Sequence, residues 1–197
     1  MRNALMFLML SGLWLFPAAV PALETASPRG VEAKFTQTRQ IAELDMTMTF
    51  RGFMRCEPGK RLKWAVCEPV QSVTLMEADK LTNLDVKNGK KVEISADKIP
   101  MLELLNSNLS AWMTGDTAVL QKNFSITRSG ERELRLIPAG MLGRAWLKKV
   151  EITFDNTGKT VEKVRVTEAS GGITEIVFHA VRLNPDWKPS DWELDLK

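Results

Sequence analysis

Apolar and polar residues alternate with a period of two through most of this chain. Over residues 46–56, Met46, Met48, Phe50 and Met54 share one parity, and Thr47, Thr49 and Arg51 take the other. That spacing puts the two sets on opposite faces of a β-strand. The same alternation, interrupted by turn signals, predicts strands over 31–41, 46–56, 61–67, 71–77, 80–86, 91–95, 123–128, 131–138, 146–155, 160–169 and 173–183, with a short final strand over 192–196. The turn signals include Glu57-Pro58-Gly59-Lys60, Asn88-Gly89, Ser129-Gly130, Asn156-Thr157-Gly158 and Ser170-Gly171-Gly172.

One segment departs from this rhythm. Over residues 97–114, Met101, Leu105, Leu109 and Trp112 have helical spacing, with Ile99, Leu102, Leu104 and Met113 beside them. Asp97 suits the N-cap, Pro100 the first turn, and Gly115 the stop. A second short helix is expected within residues 116–122. The fold class is therefore mainly β (α+β), an open antiparallel half-barrel of about eleven strands with a helical lid or plug on its concave face. So wide a sheet curls, and its hollow side must be filled by something apolar. The Met/Phe stripe of residues 46–54 is then either plain core or the wall of a pliable cavity, a use that unbranched methionine suits. The residues expected to line such a cavity are Met46, Met48, Phe50, Met54, Trp64, Met101, Leu102, Leu105, Leu109 and Trp112.

The first residues read as a leader. Arg2 precedes an apolar run from Ala4 to Phe16, and small residues at Pro17–Ala22 allow cleavage near Ala22. This is the layout of a secretory signal peptide over residues 1–22, too short for a comfortable transmembrane helix. Residues 23–197 are then one domain, expected to be soluble and exported. The formal charge of +3, less the one contributed by Arg2, leaves +2, too little to suggest nucleic acid. Tryptophans scattered over different elements and the absence of tyrosine argue the same way. Cys56 and Cys67 would suit an oxidising compartment, but a hairpin turning at 57–60 sets them about 20 Å apart along the strand, beyond disulfide reach.

Catalytic chemistry is hard to place. His179 is the one histidine, with no Gly-x-Ser-x-Gly elbow to supply a nucleophile. Two cysteines remote from it do not propose a zinc site, and Gly171-Gly172 lies between strands rather than before a helix. The expectation is a binding protein that is not an enzyme, without cofactor or metal.

Several short motifs then fall in a recognisable order: Phe35-Thr36-Gln37, Gly52 in the second strand, Pro58-Gly59, Leu62-Lys63-Trp64, Glu68-Pro69-Val70, and later Leu136-Ile137-Pro138. In order and spacing they resemble the LolA/LolB family of periplasmic lipoprotein carriers. The resemblance implies a half-barrel covered by helices whose apolar cavity takes lipoprotein acyl chains. It also implies cargo received from an inner-membrane ATP-driven extractor and delivered to an outer-membrane acceptor. No cysteine stands just after the leader's apolar run to accept a lipid anchor, so the soluble, monomeric LolA-type carrier is the nearer likeness. The alternative is an accessory carrier or sensor for another lipid or acylated amphiphile on the same fold. Soluble carriers of this family commonly have an arginine just before the turn proline, tying the lid to the barrel. Here Glu57 stands there, leaving Arg55 and Arg61 as candidates for the latch. Leu62, by family position, would lie at the cavity mouth where a partner touches.

Overall fold

The computed structural model describes residues 28–95 and 110–196. The expected leader over 1–22 lies outside them. So does most of the expected helix over 97–114, including Met101, Leu102, Leu105 and Leu109. Among the described residues, eleven strands form a single antiparallel sheet. They are β1 (Val31–Ile41), β2 (Met46–Glu57), β3 (Arg61–Glu68), β4 (Ser72–Glu77), β5 (Lys80–Asp85), β6 (Lys90–Ser95), β7 (Phe124–Arg128), β8 (Glu133–Pro138), β9 (Leu147–Phe154), β10 (Val161–Glu168) and β11 (Ile173–Leu183). Their spatial order is β6-β5-β4-β3-β2-β1-β11-β10-β9-β8-β7. Two meanders run outward from the centre, where the first strand pairs with the last. The β6–β7 connection therefore joins the two outer edges of the sheet.

Most strands have one dry face, while the edge strand β6 is exposed along nearly its whole length. In β8, Leu134, Leu136 and Pro138 are buried while Glu133, Arg135 and Ile137 are exposed. In β9, Val150, Ile152 and Phe154 do the same. Register carries this parity across the sheet. Val31 lies opposite Cys56, Ala33 opposite Met54, Leu134 opposite Ile152, and Val150 opposite Val166. All of these face the concave side, and they form one continuous apolar cluster. The β6–β7 connection supplies its cover. Residues 110–114 are helical, and Ala111, Trp112 and Met113 are buried in that cluster. Helix α1 (Thr117–Leu120) follows, N-capped by Asp116, whose carboxylate accepts from the Val119 amide at 3.1 Å.

Two elements differ from the sequence expectation. Helix α2 (Met141–Trp146) occupies a stretch whose glycines, Gly140 and Gly143, mask a helical signal, and Trp146 closes this helix instead of opening β9. The chain end forms no strand. Pro185 and Pro189 have no amide hydrogen to give a ladder, and Pro189–Trp192 is a turn of 3₁₀ helix. That segment straps the convex face of the sheet. There the buried Lys63 ammonium donates to Asp195 Oδ1 at 2.9 Å, and Arg55 donates to the Asp191 carbonyl at 2.8 Å. Arg61 stacks 4.0 Å above the Trp192 ring.

Candidate apolar site on the concave face

The concave row of β2 runs Cys56, Met54, Gly52, Phe50, Met48, Met46, and it divides in the middle. At the Cys56 end the row is sealed. Met54, Cys56 and Leu62 are wholly buried, and the Cys56 thiol donates to Ser110 Oγ of the covering helix at 3.5 Å. Trp112 meets Phe124 edge-on at 6.2 Å on the same floor. At the other end the row opens. Phe50 and Met48 are half-buried, and Met46 is 41% exposed.

The division falls at Gly52. A Cβ on that residue would stand 1.8 Å from the Ala65 carbonyl oxygen and 3.0 Å from Phe35 Cζ. With no side chain there, Phe35 on β1 and Trp64 on β3 reach each other across β2. They stack at 4.0 Å with 22° between their planes. This aromatic pair floors the open end and closes the packed one.

The expected lining residues therefore separate into two groups. Met46, Met48 and Phe50 lie in the half-open part, which Trp64 borders through its stack on Phe35, while Met54 and Trp112 belong to the sealed core. Leu62, expected at the mouth, is fully buried beside Cys56 and Met76, so it offers no surface to a partner. Arg55 and Arg61, expected as latches to the lid, sit on the opposite face. Strand parity puts Arg55 with Phe53 and Arg61 with Lys63, all on the convex side. There Arg55 pairs with Glu32 at 3.2 Å and Arg61 with Glu57 at 3.0 Å. Glu57 is committed to its own turn, and the hydrogen bond from Lys60 holds its carboxyl below the usual range. The convex hollow of about 540 Å³ beside that turn is lined by Arg29, Glu57, Lys60, Arg61, Asp186 and Trp187, a charged set that suits no acyl chain.

Other residues of the open part are not among those the sequence assigns to the cavity. Register sets Gln37 opposite Phe50 and Ile176, and Arg39 opposite Met48 and Thr174. Val66 lies opposite Gly52, and Thr74 opposite Trp64 and Asn83. Following the β1 parity from Val31, Ala33 and Phe35 would have found the first two. Arg39 is held at the β10 end by Glu168 at 3.3 Å.

The two thiols are free. Cys56 faces the sealed cluster and Cys67 lies where the β2–β3 register shifts. Burial pushes the Cys56 thiol from an ordinary 9.0 up to about 11. Only the thiolate reacts, so a maleimide at neutral pH is expected to label Cys67 on the folded protein and Cys56 only after denaturation. The fold opposes ionisation of Cys56. Its contribution is whole below the ordinary thiol pKa and is lost as pH rises toward about 11. The urea midpoint of the wild type is expected to fall across that alkaline window more steeply than that of Cys56→Ala.

The sequence matches the family model "Outer membrane lipoprotein carrier protein LolA" over residues 26–195. The chain belongs to the LolA family. A search of curated proteins returns no match. Among solved structures, an uncharacterised conserved protein from Thermus thermophilus superposes with a TM-score of 0.51 at 7% identity, covering 84% of each chain. That likeness speaks to the fold alone. A LolA superfamily protein from Nitrosomonas europaea gives 0.43 at 9% identity, over 84% of this chain and 90% of the other. A putative outer membrane lipoprotein-sorting protein domain from Vibrio parahaemolyticus gives 0.44 at 12%, over 83% and 88%. LolA membership accounts for the order of the short motifs. Two of them, Phe35 and Trp64, are the stacked pair, and Gly52 is the gap that lets them meet.

Proposed function

We propose that this LolA-family protein is a periplasmic carrier that shields lipoprotein acyl chains on the open half of its concave face and delivers them to the outer membrane. The observation that carries the reading is the half-open row Phe50, Met48, Met46, continuous with a sealed core and floored by the Phe35–Trp64 pair. Acyl chains lose about 0.8 kcal/mol per CH₂ left in water, so a dry wall holds them without covalent chemistry. Unbranched methionines repack around chains of differing shape. An inner-membrane ATP-driven extractor as donor and an outer-membrane acceptor belong to the same proposal, as does binding without catalysis. His179 fits that view: it is exposed on the convex parity, with its Nε2 3.3 Å from Thr36 Oγ1.

A second reading is favoured by Gln37 and Arg39, which bring polar groups into the apolar row. They suit an amphiphile whose headgroup lies beside its chains, such as a glycolipid. One experiment addresses both. The protein is purified from periplasm and its bound molecules are identified by mass spectrometry, alongside titration with a fluorescent acyl probe. Acylated protein with saturable probe binding supports the carrier. A bound lipid of another class moves the protein to the second reading. Absence of bound acyl groups together with no saturable probe site would sink both.

A further inference from the structure

The α2 helix presents an apolar surface that the concave site does not use. Met141 is 90% exposed and Trp146 is 63% exposed, although both are large apolar side chains. Six residues long, α2 packs on the ends of β8 and β9. Arg144 folds it back by donating to the Pro138 carbonyl at 3.0 Å and the Ala139 carbonyl at 3.1 Å. The Ala169 amide donates to the Trp146 carbonyl at 2.9 Å, which fixes the helix at the end of β10. Glu168 there also holds Arg39, so α2 stands at the sheet rim toward which the open concave row runs.

The unpaired charge around it is one-sided, since Glu168 at the same rim is taken by Arg39. Between Glu133 and Glu151 the chain carries Arg135, Arg144, Lys148 and Lys149 and no acidic residue. Arg135 and Lys149 are both paired with Glu151 on the convex face. Lys148 and Arg144 are exposed and enter no ion pair among the described residues. Lys122, exposed beside the Asn123 carbonyl that binds the Ala139 amide, adds a third such base to the same corner.

We propose that α2 is a docking element for an anionic lipid surface. Protein interfaces also favour tryptophan, methionine and arginine, but their centres are depleted in lysine, so it is Lys122 and Lys148 that point to lipid. Tryptophan beside lysine and arginine fits the boundary between headgroups and acyl chains. The indole sits at headgroup level, and the basic stems reach outward to phosphates. Anionic headgroups supply the countercharge that this corner lacks. Docked by α2, the sheet would present the rim of its open row to the membrane. The surface proposal does not depend on what the row carries.

The test is vesicle flotation with the full chain, using phosphatidylcholine vesicles with and without phosphatidylglycerol. The wild type is expected to float with the anionic vesicles, less so as salt is raised, and to stay behind with pure phosphatidylcholine. Met141→Ser combined with Trp146→Ser is expected to reduce flotation about tenfold or more, as loss of inserted side chains requires. Lys122→Glu combined with Lys148→Glu is expected to do the same while keeping the apolar pair, and it decides the matter if the first variant fails to fold. Urea midpoints and acyl-probe binding are followed on every variant and are expected to stay at wild-type values. Flotation that ignores phosphatidylglycerol, or that survives both double substitutions, overturns the proposal. So does self-association that the serine variant abolishes, which would make the surface a contact between copies of this chain. Loss of probe binding with flotation intact counts against the carrier reading alone.

Discussion

Replacing Gly52 with alanine is expected to leave little cooperatively folded protein. The added methyl carbon would lie 1.8 Å from the Ala65 carbonyl oxygen, and that oxygen belongs to backbone in the neighbouring strand. A flexible side chain could turn aside, but here β3 itself must move. The same methyl also meets Phe35 Cζ at 3.0 Å, in the plane where Phe35 and Trp64 stack. Overpacking of an ordinary core costs about 1–3 kcal/mol. A clash with central-strand backbone that also parts an aromatic pair is expected at or above the top of that range. Since domains of this kind hold only about 5–15 kcal/mol in reserve, the variant should show a much lower urea midpoint or be recovered only as aggregate. A wild-type midpoint for Gly52→Ala would mean that β2 and β3 are not packed as described.

Introducing glutamate along the β2 row is expected to separate binding from folding. Met48→Glu sits in the half-open part, directly opposite Arg39. Its carboxylate has both water and a guanidinium within reach, so the stability cost should stay under about 1 kcal/mol, as for exposed pairs. In the path of an acyl chain, however, the charge would have to lose its water. Capture of an acyl probe should therefore fall by about tenfold or more, each factor of ten being ~1.4 kcal/mol. Met54→Glu, six residues further along the same row, meets no water at all. A buried unpaired charge there is expected to cost several kcal/mol. The two variants are compared by urea unfolding and by probe titration. Equal loss of stability in both would show that the whole row is closed core. Unchanged capture in Met48→Glu would remove this part of the row from the site.

Alternation made most of the sheet legible. The period-two pattern located all eleven described strands, in several cases to within a residue, because most strands have one wet face and one dry one, and turn signals bound the exposed β6. It failed where a different force set the backbone. At Trp192 the period-two rule reads a strand, but two prolines and a 3₁₀ turn take the chain across the convex face, where Arg61 and the buried Lys63 hold it. At residues 141–146 Gly143, with Gly140 just before it, hides a helix too short to show a period. For the candidate site, parity puts Met46, Met48 and Phe50 on one face of β2, as the register has them, but it cannot say where along a row a cover stops, so by parity Met54 and Leu62 are no different from Met48. The latch arginines show the same limit from the other side. Arg55 and Arg61 were found by closeness in sequence to the turn, whereas a strand turns consecutive residues to opposite faces, and both point away from the hollow.

The order of the strands has a consequence for how the chain reaches this form. β1 pairs on one side with β2, its next neighbour, and on the other with β11, whose residues follow it by well over a hundred positions. A chain that emerges from its N-terminus can zip β1 through β6 early, each pairing being local. During all that time β1 keeps a full row of amide and carbonyl groups bare. The two halves of the sheet can join only when the last strand arrives, and that closure is the longest-range strand pairing among the described residues. Until then the most vulnerable edge of the molecule is the strand that ends at its centre.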